Sequence, residues 1–373
     1  MTTYRGDHES VAHIKVVGVG GGGSNAVSRM YRERIPGVEY IVVNTDSQAL
    51  IRSDVPMKVR IGDHLTQGKG VGGVPELGSK SAEESREDLY EVIRDADMVF
   101  IAGGMGGGTG TGAAPVLAQI AKESGALTVA VVTKPFEFEG LRRMRVAESG
   151  IKRLGEHVDT LLVIPNERLH VISDEEITAD NAFKLADDVL RIGVQSIAEL
   201  VTVAGDINVD FADVNAIMRD SGPAWMSIGW GMGEHRARTA AQQAISNPLL
   251  DVSIEGAKGV LFNITGGSDL KLSELHEAAE VIQRVVDPEA NIIFGMVTDL
   301  KMENEIKLTI VATGFPVGES FGERQDSIDR ILAEALANGD EHDLDLPPFL
   351  RRQARAASLR ASSSGVNGSS NLH

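Results

Sequence analysis

The sequence predicts an α/β fold: a doubly wound parallel sheet, then a long central helix, a second α+β domain and a disordered C-terminal tail. Three observations predict it. Short apolar runs alternate with helical patterns between Ile14 and Ile164, glycine-rich segments directly follow two of those runs, and the stretch from Asn181 to Val203 is apolar on most of its helical faces. Continuous apolar strands separated by helices belong to a sheet covered on both sides, and such sheets take ligands beyond the carboxyl ends of their strands.

The first strand is Ile14 to Val19. It runs into Gly18 to Gly23, which fits G-x-G-x-x-G. The second strand, Tyr40 to Val43, is followed by Asp46, about 23 residues beyond that loop, where a dinucleotide-binding fold places its ribose carboxylate. Taken alone, this pair predicts NAD. A P-loop over Gly62 to Gly70 is excluded, because it has one spacer too many and Gly70 stands where a magnesium-binding Ser or Thr is required.

The third strand, Met98 to Ala102, leads into Gly-Gly-Met-Gly-Gly-Gly-Thr-Gly-Thr-Gly at Gly103 to Gly112, and a helical pattern follows over Ala113 to Ala121. Strand, glycine loop and helix in that order make a phosphate cradle: bare backbone N–H groups approach an anion, and the helix adds the positive end of its dipole. Thr109 and Thr111 add hydroxyl donors. A dinucleotide site has no need of this second cradle, whereas one loop on each side suits a nucleoside triphosphate. Leu127 to Val132 and Leu161 to Ile164 complete the parallel strands.

In the long helical stretch, Phe183, Leu185, Val189, Leu190, Ile192, Val194, Ile197, Leu200 and Val201 recur at close to helical period, as in a helix buried between two layers. The second domain shows helical patterns near Phe211 to Ser221 and Leu272 to Val286, and strands at Gly259 to Ile264, Asn291 to Phe294 and Ile306 to Val311. It opens on Asn208-Val-Asp-Phe-Ala-Asp-Val-Asn215. There Asp210 and Asp213 have the spacing of a helix N-cap, and as carboxylates three apart on a first turn they could also orient a water. A preceding helix of about 20 residues spans roughly 30 Å, so this loop is expected at the opposite end of the protomer from the glycine loops. Pro223, Trp225 and Trp230 follow it and leave its fine geometry open. The resulting division is 1–12 flexible, 13–180 nucleotide-binding, 181–207 central helix and connection, 208–315 the second domain, 316–342 acidic linker, 343–353 partner-binding peptide and 354–373 disordered basic, Ser-rich tail. Residues 316 to 346 carry nine acidic and two basic side chains, whereas 349 to 373 hold four arginines and no acid.

Composition narrows the function classes. A net charge of -18 over 373 residues disfavours non-specific binding to nucleic acid or anionic lipid. The absence of cysteine excludes disulfides, thiolate metal sites and thiol catalysis. Met1 to Ser10 is polar and charged, and no apolar run approaches the roughly 18 residues of a membrane span. A soluble cytoplasmic protein is expected.

The loop at Gly103 to Gly112 resembles the signature loop of the tubulin/FtsZ family in its bacterial cell-division form. The similarity runs from about His13 to Phe315 and returns at Leu344 to Gln353. It implies a polymerising GTPase of the division ring, cytoplasmic at the division site, with GTP or GDP, Mg2+ held mainly by phosphates and water, and a monovalent cation as a further candidate. By that resemblance Gly20, Gly21, Gly22 and Asn25 lie under the α- and β-phosphates, and Gly107, Gly108, Thr109 and Gly110 hold the β- and γ-phosphates. Glu139 and Arg143 meet ribose and phosphate, Asn166 and Phe183 line the base pocket, and Asp188 reads the guanine N1 and N2 donors that adenine lacks. Asn208, Asp210 and Asp213 form the catalytic loop offered to the next subunit of a head-to-tail filament, and residues 344–353 bind a membrane tether or regulator such as FtsA. Bland alternatives stay open: Glu139 with Arg143 as a helical ion pair, Phe183 as core, Asp188 as a solvent-facing residue. Two other function classes also remain, an NAD-dependent oxidoreductase and a GTP-binding scaffold that does not hydrolyse.

Overall fold

The computed structural model describes residues 12–35, 37–171, 178–202, 209–246, 254–300 and 302–315. Asn208, the linker, the 344–353 peptide, the C-terminal tail and residues 1–11 of the predicted flexible N-terminus lie outside these residues, whereas Ala12 is described and buried in a core. The first half runs β1 (Ile14–Val19), α1 (Gly20–Glu33), β2 (Val38–Asn44), α2 (Ser47–Arg52), β3 (Met57–Arg60), α3 (Asp63–Thr66), α4 (Pro75–Glu84) and α5 (Arg86–Ile93). It continues through β4 (Met98–Gly104), α6 (Thr109–Glu123), β5 (Leu127–Lys134), α7 (Leu141–Gly155) and β6 (Thr160–Pro165). The long helix is α8 (Ala179–Thr202). Then come α9 (Phe211–Met218), β7 (Gly222–Met232), α10 (Arg236–Ile245), β8 (Gly259–Gly266), α11 (Leu272–Gln283), β9 (Asn291–Thr298) and β10 (Glu305–Thr313). Among the described residues no helix is long and apolar enough to cross a membrane.

The strands β3-β2-β1-β4-β5-β6 are all parallel, and their side chains alternate between two cores. Met98, Phe100 and Ala102 pack into one core with α1 and α8, while Val99 and Ile101 enter the other with α5 and α6. This period-two division is what a doubly wound sheet requires, since both faces must leave water. Parallel winding also brings the carboxyl ends of β1, β4, β5 and β6 to one edge, where the glycine loops lie.

Beyond the elements named from the sequence, the structure adds the strands β3 and β7 and several helices, α10 among them. Of these β7 matters most, because it joins the two halves. Its first residues, Gly222 to Ala224, pair in parallel with β6, and Trp225 to Met232 then pair antiparallel with β10, giving a single ten-stranded order ending β7-β10-β8-β9. Glycines broke its apolar pattern, yet they are there for packing: a Cβ on Gly229 would meet the Ala240 carbonyl oxygen at 1.9 Å, and one on Gly231 the Arg236 oxygen at 1.8 Å. The aromatics that looked out of place belong to this strand. Trp225 is buried in the third core with Phe262 and Ile310, and half-exposed Trp230 lies under Lys307 at 6.0 Å. The helix α8 departs from the all-round apolar expectation along one stripe, where Arg191, Gln195 and Glu199 form a polar ladder at i, i+4 spacing and Arg191 reaches Glu33 of α1 at 2.8 Å.

Candidate functional site

Two helix N-termini converge at the carboxyl edge of the sheet. Helices α1 and α6 both start without a side-chain cap and with no acid in the first turn, so their free N–H groups and dipole ends remain available to an anion. Between them opens a cavity of about 450 Å³, within the range of small-ligand sites. Gly21, Gly22, Asn25, Gly107, Gly108, Thr109, Gly110, Glu139, Arg143, Asn166 and Phe183 all line it. A Cβ on Gly21 or Gly107 would meet nothing within 4 Å, so these residues present bare backbone to the open space.

Gly20 is predicted as a phosphate contact, but it does not line the cavity. It braces one loop against the other: its φ is +72°, and a Cβ there would stand 2.7 Å from the Gly110 nitrogen. Thr111 likewise turns its hydroxyl away from the cavity. Fully buried, its hydroxyl accepts from Gly106 N–H at 2.9 Å and so holds the loop shape, whereas Thr109 faces the cavity and pairs with the Thr45 hydroxyl at 2.7 Å.

At the cavity's outer wall Glu139 is fixed on both sides, accepting from Phe136 N–H at 2.9 Å and from Arg143 at 2.5 Å. The helical ion pair therefore exists. Because Arg143 is half-exposed the pair adds little stability, and its guanidinium remains within reach of a bound anion. Asn166 is buried with its Oδ1 unpartnered in the cavity wall, an orphaned polar atom that a ligand's donors would satisfy. Phe183 stands at the mouth, 46% exposed, held edge-on by Phe136 and Phe138. A core role is ruled out by that exposure.

The expected base reader, Asp188, is displaced by its neighbour. Asp187 lines the cavity, together with Phe183, Ala186 and Leu190 of the same helix. Positions 183, 186, 187 and 190 form one stripe at i, i+3, i+4 and i+7, and residue 188 is rotated off it by about 100°. Asp188 instead pairs with Arg29 at 3.4 Å and Arg191 at 3.8 Å. Counting from Phe183 at helical period would have identified Asp187. Burial pushes the Asp187 carboxyl up to about 6, against the pull of Arg29 at 3.6 Å and with a smaller push from the Asp188 charge.

Asp46 lies elsewhere. Its carboxylate caps α2, accepting from Gln48 N–H at 2.8 Å, and it is not among the residues lining the cavity. The dinucleotide reading thereby loses its ribose contact.

Asp210 caps α9, accepting the Asp213 N–H at 2.8 Å, so the capping reading holds whatever else these residues do. The C-terminal end of α9 meets the amino edge of the sheet: Thr160, first residue of β6, donates to the Met218 carbonyl at 2.5 Å, and Arg219 reaches the Gly125 carbonyl at 3.5 Å. The cavity is at the other edge, with Thr133 near the end of β5 in its wall. Eight residues of β5 span about 26 Å, and the helix from Phe183 to Thr202 about 28 Å. Asp210 and Asp213 thus cannot reach the cavity of their own chain.

The family model for the Tubulin/FtsZ family GTPase domain matches residues 13–174, and that for the FtsZ family C-terminal domain matches residues 222–316. An empty FtsZ dimer from M. jannaschii is similar at 47% identity and a TM-score of 0.79, over 83% of this chain and 90% of that one. A point mutant of FtsZ from the same organism matches at 47% identity and 0.78, over 82% and 92%. CetZ2 from Haloferax volcanii, a GTPγS-bound protofilament, shares the fold at 21% identity and 0.71, over 85% and 99%.

Proposed function

The chain belongs to the tubulin/FtsZ family, as a GTP-binding, self-associating GTPase of the cell-division cytoskeleton, and from this premise we propose that it hydrolyses GTP between head-to-tail subunits. One observation carries the proposal: the glycine-lined cavity and the carboxylates of the α9 turn lie at opposite ends of one protomer. A carboxylate pair that cannot serve its own nucleotide can serve a neighbour's, and head-to-tail contact without closure makes a filament.

In this reading the N–H groups of Gly21, Gly22 and Gly107 to Gly110 stabilise phosphate charge, and Arg143 adds a cation from the rim. Asp213, with Asn208 and Asp210, orients water towards the γ-phosphorus of the adjoining subunit's GTP; the P–O bond to the β-phosphate breaks and inorganic phosphate leaves. Among the described residues no three acidic or histidine side chains gather to cage a cation. As the family resemblance implies, Mg2+ would be held mainly by phosphate oxygens and water, and a monovalent cation would assist at the α9 turn. Residues 344–353 would dock a membrane tether or regulator such as FtsA at the division site. Deleting them should abolish capture of the tether and leave turnover unchanged, and capture by the deleted chain would exclude this role.

Phosphate release from GTP, measured per protomer against protein concentration, tests the central proposal. The expected result is a rate near zero below a threshold and rising above it. A constant rate per protomer would mean a self-contained active site.

Base selection falls to Asp187 in place of Asp188, with Phe183 stacking on the purine and Asn166 pairing with its edge. An ionised Asp187 accepts from guanine N1–H and N2–H, so affinity should climb as pH rises through about 6 and level off above 7, losing up to about tenfold per unit below 6. The opposite sign holds for the nucleotide-free fold. A carboxyl raised from 3.8 destabilises that fold once ionised, so Asp187→Asn should melt higher than the parent chain at pH 7.5, with the gap closing below pH 4. GTP titrations from pH 5 to 8 on Asp187→Asn and Asp188→Asn decide the assignment: the pH step should vanish only in the first.

A further inference from the structure

Asp159 is an acidic side chain, fully buried and far from the nucleotide cavity. It stands just before β6, at the amino edge of the sheet. Its Oδ2 accepts from Thr128 N–H at 2.9 Å and its Oδ1 from Asp220 N–H at 3.3 Å. Lys122 Nζ lies 3.3 Å from Oδ1, and an Arg219 nitrogen 3.9 Å from Oδ2. The main chain joins the same knot, with Asp159 N–H donating to the Thr128 carbonyl at 2.9 Å and Gly222 N–H donating to the Asp159 carbonyl at 2.8 Å. A buried carboxylate is tolerated only when its charge and lone pairs are met, and removing one partner leaves the rest uncompensated.

The partners come from two helices that matter to turnover. Helix α6 starts at Thr109 in the cavity wall and carries Lys122 in its last turn, about 20 Å away. Helix α9 starts at the Asp210 cap and ends one residue before Arg219, whose Nε also donates to Asn215 of that helix at 3.0 Å. Lys122 further reaches Asp220, in the turn after α9, at 2.7 Å. One buried carboxylate therefore grips the far end of the helix that begins at the nucleotide and the base of the helix that bears Asp210 and Asp213.

We propose that Asp159 and Lys122 are positioning residues for hydrolysis: they set the orientation of α9, and through it the place where Asp210 and Asp213 meet the neighbouring subunit's nucleotide. Neither touches nucleotide; α9 alone puts about 12 Å between this knot and the Asp210 cap. This inference rests on the proposal that Asp210 and Asp213 act in trans.

The test is Lys122→Met, which keeps most of the aliphatic stem and removes the charge, measured in the full chain beside Lys122→Arg and Asp213→Ala. GTP affinity and the assembly threshold should stay within about twofold, turnover per assembled protomer should fall about tenfold, and Lys122→Arg should recover roughly half or more. A purely structural role would lower the melting temperature and shift the threshold without altering turnover per assembled protomer. Parent-like turnover in assembled Lys122→Met, with Asp213→Ala inactive, overturns the positioning role alone. Parent-like turnover in Asp213→Ala removes Asp213 from the mechanism and overturns the reading on which this proposal rests. Should Lys122→Met fail to fold, Asp220→Asn weakens, from an exposed side chain, the ion pair that ties Lys122 to the turn after α9 and should lower turnover per assembled protomer about threefold; no change there overturns the proposal.

Discussion

Asp213→Ala leaves GTP binding and filament assembly in place and lowers turnover about 100-fold or more, the scale at which positioned acid–base groups act on a proton in flight. The substitution isolates the carboxylate. It is the Asp213 N–H that closes the cap to Asp210, and alanine keeps that N–H while favouring the helix. Asp210→Ala is a coarser change, because it also removes the cap acceptor and costs about 1 kcal/mol in the same turn. With the γ-phosphate retained at each interface, Asp213→Ala filaments should outlast those of the parent chain after GTP is withdrawn. Phosphate release and light scattering on the same sample give both numbers. Turnover equal to the parent chain at equal assembled mass would remove Asp213 from the mechanism.

Gly20→Ala weakens GTP binding about 100-fold, or about 3 kcal/mol, although residue 20 does not line the cavity. Alanine at a φ of +72° costs about 1 kcal/mol, and its Cβ would press on the Gly110 nitrogen at 2.7 Å and Cα at 3.2 Å. The two glycine loops must part, and the N–H groups they aim at one anion lose their common focus. Gly21→Ala is the contrasting variant: its Cβ meets no protein atom, so the nucleotide-free fold should be as stable as the parent or slightly more so, and any loss of GTP arises from the space the methyl takes in the cavity. Melting curves with and without GTP separate the two. Gly20→Ala binding GTP at parental strength would show that the loops need not touch.

Much of the fold was legible because it is local. The strand cores from Ile14 to Val19 and Leu127 to Val132 declare themselves as continuous β-rich runs, the loop from Gly103 to Gly112 lies between a strand and a helix, and α8 shows its helical period over more than 20 residues. The strand β7 was not legible, because Gly229 and Gly231 are selected by contact with α10, which lies further along the chain, and they break the alternation that identifies a strand. The site divides in the same way. Residue types and loop order point to a nucleoside triphosphate, since glycine runs at strand ends can be read one segment at a time.

What the sequence by itself determined is the chemistry on offer: two anion cradles and a carboxylate turn at the far end of a long helix, with a base pocket near that helix's start implied by the family resemblance alone. Only the tertiary structure decided which residue meets what. It turned Asp187 towards the cavity and Asp188 towards Arg29, used Gly20 and Thr111 to hold the loops, spent Asp46 on a cap, and buried Asp159 among Lys122, Arg219 and Thr128. The physical reason is range. Periodicity and turn chemistry act within a few residues, whereas the face a helix presents and the partner a buried charge finds depend on segments brought together from tens of residues away, when sheet and helices close on a common core.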